Sequence, residues 1–182
     1  MSPRKTRKQK ELIYAELRVA GGVSLFLNPQ VMAKIISGLQ WCCDKRGLRI
    51  YEYCILPDRI LLLANTAWGS VAEVIEAYKD FSSKAVMLIL RRGSSNGKQS
   101  WIFSVFQEHG PAGKAEGIHI WEEESLMQSV FKQDEIDQLS TTMKNRPVKL
   151  GLVQKAEHYL NSSAHPANPL EGWIVEATDP WS

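Results

Sequence analysis

RIYEYCILPDRILLLA, residues 49–64, reads as two strands joined by a tight turn. Arg49 to Ile55 alternates polar and apolar side chains, Leu56-Pro57-Asp58 carries turn residues, and Ile60 to Ala64 is densely apolar. A strand apolar on both faces belongs in the middle of a sheet that is covered on both sides. Upstream, Asn28-Pro29 pairs a capping side chain with proline at the first helical position. Val31, Ile35, Leu39 and Cys42 then recur at helical spacing, Met32, Ile36 and Cys43 widen the stripe, and Gly47 is placed to end it. Before this helix, Glu11 to Val19 alternates as a strand, broken by Gly21-Gly22. After the hairpin, a second helix is predicted from about Ser70 to Arg91, with Val71, Val74, Ile75, Tyr78, Ala85 and Leu88 facing inward.

Strand, helix, strand, strand, helix is the opening of a ferredoxin-like split βαβ arrangement, an α+β fold with helices packed on an antiparallel sheet. Further on, Gly93 to Gln99 and Gly110 to Gly117 read as loops around a short apolar piece, Trp101 to Phe106. A last strand is expected at Gly117 to Trp121. A helix is expected from Asp134 to Lys144, with Ile136, Leu139 and Met143 on one side and Pro147 as its stop. The division predicted is a basic arm over residues 1–10, a domain over 11–164 and an irregular tail over 165–182.

The 182 residues are 44% hydrophobic, enough for one domain with a core. No apolar run approaches the ~18 residues of a membrane span. The basic start MSPRKTRKQK lacks the apolar stretch of a secretory leader, so a cytoplasmic protein is expected. Cys42, Cys43 and Cys54 are odd in number and lack metal-ligand spacing, which points to reduced core residues. The net charge of +2 does not by itself indicate nucleic acid. Arg4, Lys5, Arg7, Lys8 and Lys10 form either a phosphate-contacting arm or a solubilising tail.

Three segments, in order, resemble the single-tyrosine HUH transposases, nearest to the REP-associated branch. YEYCILPDRILLL (51–63) resembles the family's strand–turn–strand, whose Met-Pro-Asn turn leads into a His-hydrophobic-His metal motif. AYKDFSSK (77–84) resembles the helix that follows, and NRPVKLGLVQKAEHYLNSSA (145–164) resembles the C-terminal signature. Trp101 and Trp121 sit where that branch has tryptophans. The resemblance spans roughly Leu12 to Ala164. It implies a ferredoxin-like core, a homodimer, and recognition of single-stranded or hairpin DNA.

The family's reaction joins a tyrosine nucleophile to a divalent metal such as Mg²⁺. Here the two histidine positions hold Arg59 and Leu61, and the nucleophile position falls on Thr142. A guanidinium has no acceptor and a leucine no donor atom, so neither grips a metal. The resemblance therefore implies a member unable to cut, with no cofactor expected. The assisting polar residue of some relatives becomes Arg146. Arg59 and Arg146 either converge and hold a phosphate where the metal was, or are solvated or paired with Asp58 or a nearby glutamate. Lys79, Ser82, Ser83, Lys84, Arg91 and Arg92 on the second helix, with Lys144 and Lys149 beside Arg146, complete the candidate DNA contacts. Each has the ordinary reading of a solvated helix face. The tryptophans either stack on bases or fill the core. Glu122-Glu123-Glu124 repels DNA from its own surface. Tyr159 occupies an ordinary position of the signature. The resulting expectation is a non-cleaving, DNA-binding, transposase-like protein. The alternatives are a dimeric interaction module that has lost DNA binding, and a transposase still active through unrecognised residues.

Overall fold

A computed structural model describes residues 11–93, 100–110 and 119–175. β1 (Leu12–Arg18), α1 (Pro29–Arg46), β2 (Leu48–Leu56), β3 (Arg59–Thr66) and α2 (Val71–Gly93) follow in the predicted order. α3 (Ser100–His109), β4 (Leu126–Val130) and α4 (Gln133–Lys149) complete the regular elements. The sheet runs β2-β3-β1-β4, and each neighbouring pair is antiparallel. This is the split βαβ topology, with β3 inserted between β1 and β2, and the fold is α+β as expected.

α1 begins and ends as its sequence dictates. The Asn28 carboxamide oxygen accepts from the amides of Gln30 (2.9 Å) and Val31 (3.3 Å), and Pro29 needs no partner there. Gly47 closes the helix with φ +71°, a left-handed cap that glycine adopts without strain. Val31, Ile35, Leu39 and Cys42 are fully buried against one face of the sheet. The same face receives Ile13, Ala15 and Leu17 of β1, Ile60, Leu62 and Ala64 of β3, and the inner side of α2. The opposite face carries a smaller cluster, Leu12, Cys54, Leu56, Leu61, Leu63 and Val130, closed by Met143 of α4.

Several expectations are corrected. Trp101 to Phe106 is part of helix α3, with Ile102 and Phe106 in the core. A six-residue apolar piece has too little length to reveal its period. α3 lies so close to Gly21 that a side chain there would run into Val105. The last strand is Leu126–Val130. Trp121 makes only an isolated bridge to Val19, and residues 117–118 lie outside the described residues. LMQSV is a weak strand signal because, as an edge strand, it is half exposed. Pro147 does not stop α4, which continues to Lys149. It falls in the last turn, where its missing N–H removes one bond, and it packs as a buried residue.

The inner face of α2 is also shifted. Leu88 is 56% exposed, while Ser82, Ser83, Val86, Met87 and Leu90 are buried. Two inward serines hide the true stripe from an apolar periodicity count. The residues after Ala164 are irregular but docked. Leu170 is buried, Tyr53 Oη donates to Asn168 Oδ1 (2.7 Å), and the Val175 amide donates to the Ile50 carbonyl (2.8 Å). With the Ile55 amide bonded to Asn161 and that of Ser163 to Tyr53, this stretch covers the outer edge of β2.

Candidate nucleic-acid interface

The turn at Pro57-Asp58 is held down by the amides of Val19 and Phe26, which donate to the carbonyls of Asp58 (2.8 Å) and Pro57 (3.0 Å). Arg59 therefore opens β3 in a fixed place, opposite Arg18 of β1, and Leu61 lies opposite Glu16. Side chains alternate along a strand, so Tyr14, Glu16 and Arg18 share one face with Arg59 and Leu61, the face that α4 crosses.

Two arginines directly across a strand pair repel, and Glu16 resolves this. Its Oε1 accepts from Arg59 Nη1 (2.7 Å) and from Arg18 Nε (2.8 Å). Asp58 receives the rest of the Arg59 fork, Nε to Oδ1 at 3.0 Å and Nη2 to Oδ2 at 2.8 Å. Burial pushes the Glu16 carboxyl up, but the hydrogen bonds and charges of Arg18 and Arg59 outweigh it and hold the group below its ordinary value. Arg59 is raised, first by its bonds to Asp58. Tyr14 is raised by burial and by Glu16, and is opposed by the charges of Arg146, Arg18 and Arg59. Arg146 of α4 thus reaches the same neighbourhood as Arg59. Arg18 and Arg59 match Glu16 and Asp58 in charge, and Arg146 adds a third guanidinium near Tyr14.

The remaining candidates separate. Leu61 is 3% exposed and serves as a packing residue beneath Met143. Thr142 is exposed on α4, one turn before Arg146. Lys144 is half-buried and pairs with Glu52 (3.0 Å). Lys149 is exposed at the C-terminal end of α4, where its charge complements the helix dipole. Lys84, Arg91 and Arg92 are exposed on α2, across the sheet from α4, and cannot line one groove with Arg59 and Arg146. Lys79, Ser82 and Ser83 are buried, which removes them from contact with an external phosphate. Lys79 Nζ donates to the carbonyls of Glu122 and Glu123 (both 3.0 Å). Ser82 Oγ accepts from Trp121 Nε1 (2.9 Å), and Ser83 Oγ from the Ile120 amide (3.4 Å). The AYKDFSSK stretch is therefore a brace between α2 and the chain before β4. Trp121 is 1% exposed and belongs to the core, whereas Trp101 is 55% exposed.

A metal does not fit the donor set at the β2–β3 turn. Arg59 occupies both carboxylates, and Leu61 supplies no donor. Among the described residues there is no cluster of three or more His, Cys, Asp or Glu able to hold an ion. The other nucleophile candidates are tied down. Tyr159 Oη donates to the Ile55 carbonyl (2.8 Å), and burial pushes the thiols of Cys42 and Cys54 up to about 12. The sequence reading missed Glu16, Arg18 and Tyr14. Their signal was present as the polar half of a strand whose other half is aliphatic.

The fold is shared with the REP-associated tyrosine transposase solved bound to a REP hairpin, at TM-score 0.60 and 14% identity, over 100% of this chain and 94% of that one. A candidate transposase from Deinococcus radiodurans R1 matches at TM-score 0.50 and 12% identity, over 80% and 98% of the respective chains. No family model matches the sequence, and no curated protein is similar enough in sequence to count as a relative. No helix among the described residues is long and apolar enough to cross a membrane.

Proposed function

We propose that this chain binds single-stranded or hairpin DNA without cleaving it, using a transposase fold whose cutting site has been replaced. The observation that carries this reading is the Arg59–Glu16–Asp58–Arg18 network, with Arg146 beside it, in the place the resemblance assigns to the metal. The donor set there fits no metal, and Thr142 stands exposed on α4 one turn before Arg146. Phosphate contacts need positive charge and N–H donors, which this cluster supplies. The neighbour solved on a REP hairpin makes hairpin DNA the natural ligand to try. Arg59, Arg146 and Lys149 are the contacts proposed to matter most, and a homodimer is the assembly proposed.

A second reading, an interaction module that no longer binds DNA, is favoured by one specific fact. Arg59 has given most of its fork to two carboxylates. Incubating the full chain with labelled hairpin and single-stranded DNA, with and without Mg²⁺ or Mn²⁺, separates the readings. A mobility shift at low salt with neither nick nor covalent adduct is expected. Absence of any shift supports the interaction module. A metal-dependent adduct overturns both in favour of an active transposase.

A further inference from the structure

Three side chains on the sheet face that α4 crosses hold donors without a partner among the described residues. Arg59 has committed Nε, Nη1 and Nη2 to Asp58 and Glu16. Arg18 commits less. It gives Glu16 its Nε (2.8 Å) and keeps both terminal NH₂ groups, and its side chain is 48% exposed. Tyr14 is half-buried against the small apolar cluster, and its hydroxyl makes no hydrogen bond there. The half-buried Arg146 guanidinium likewise neither bonds nor pairs with a described side chain.

These donors share one neighbourhood. Tyr14 and Arg18 lie on one face of β1 because side chains alternate along a strand. Arg146 follows the buried Met143 by three residues, so α4 turns it toward the same face. The charges of Arg146 and Arg18 both act on the Tyr14 hydroxyl, while burial, and after it Glu16, push its pKa up, so it stays protonated as a donor. The carboxylates here, Glu16 and Asp58, are matched by Arg18 and Arg59, and Arg146 supplies the further charge. A ligand that satisfies one O–H and two guanidinium edges needs several acceptor oxygens and negative charge. A phosphate group has both, and arginine grips it through paired N–H groups.

We propose that Tyr14, Arg18 and Arg146 form a phosphate-binding site, filled by free phosphate or by one phosphodiester of a DNA strand. The DNA form of the ligand rests on the binding reading above, and the site itself does not.

Arginine side-chain NMR of the full chain, titrated with inorganic phosphate against sodium chloride of equal ionic strength, tests it. Phosphate should shift the Nε–H signals of Arg18 and Arg146 with millimolar affinity, and chloride should not. Tyr14→Phe removes only the hydroxyl, and Arg18→Lys keeps the charge but loses the paired N–H groups. Each should weaken phosphate binding about fivefold, as expected for one lost hydrogen bond, and should weaken hairpin DNA in fluorescence anisotropy to a similar degree. Thermal melting of each variant checks that it folds. Phosphate binding without hairpin binding supports the site, with the free anion as its ligand, and overturns the DNA reading. Phosphate shifts no larger than those with chloride overturn the site. So does hairpin binding that neither substitution weakens, an outcome that leaves the DNA reading standing.

Discussion

On the face of the sheet covered by α1 and α2, β1 and β3 present Ile13, Ala15, Leu17, Ile60, Leu62 and Ala64, all buried. On the face under α4, the same two strands present Tyr14, Glu16, Arg18 and Arg59 beside a small apolar cluster. The first face has what a stable core requires. The second holds ionised groups, and burying ion pairs adds little net stability compared with apolar packing. The contrast separates the face that holds the larger apolar core from the face that carries the ion-pair network.

Truncating each face in turn is the most direct way to break that division. Leu62→Ala, in the larger core, should cost about 3–5 kcal/mol by urea denaturation, and Leu61→Ala, its neighbour on the α4 face, about 2–3 kcal/mol. Equal losses would mean that the two faces carry the fold alike. Next in size is Arg59→Ala, which leaves Asp58 without its partner and Glu16 with Arg18 alone, and should cost about 2 kcal/mol. Adding Asp58→Asn should recover part of that loss, because the carboxylate left unpaired is then gone. A recovery near zero would mean that solvent satisfies Asp58 once Arg59 is gone.

The functional half of the comparison is sharpened by salt. Arg146→Ala should weaken hairpin binding and lower the slope of log affinity against log salt by about one, as expected for one lost phosphate contact. Arg91→Ala, across the sheet, should leave both unchanged. A matching effect at Arg91 would move the proposed DNA path to the other face.

The smallest effect is in pH. Glu16 is held below its ordinary value, so its contribution is complete above the unfolded carboxyl pKa of about 4.3 and fades as pH falls through the lower, folded value. The stability difference between the parent chain and Glu16→Gln should therefore be constant from neutral pH to about 5 and shrink in more acidic buffer. A difference that grows on acidification would contradict the arrangement.

Much of the fold was legible in residues 49–64 and their flanks. Alternation gave the strands, Asn28-Pro29 and Gly47 bounded α1, and the double apolar character of β3 placed it inside the sheet. The residue types at Arg59, Leu61 and Thr142 could also be read directly, while their match to metal and nucleophile positions is what the resemblance implies. α3 and β4 were not legible. One is a short apolar piece, and the other is an edge strand that needs few apolar residues. The inward phase of α2 was hidden by Ser82 and Ser83, which look like surface residues until Trp121 and Ile120 arrive to bond them.

Sequence by itself determined which chemical groups stand at the start of β3: a cation at Arg59 and an aliphatic side chain at Leu61. Tertiary structure decided what that cation does. Arg59 meets Glu16 across 43 residues of chain, and Glu52 meets Ser140 across 88. Periodicity reports only which side of an element faces inward. Which partner waits there depends on how the strands are ordered in the sheet, and for Glu52 on a single extra residue in β2.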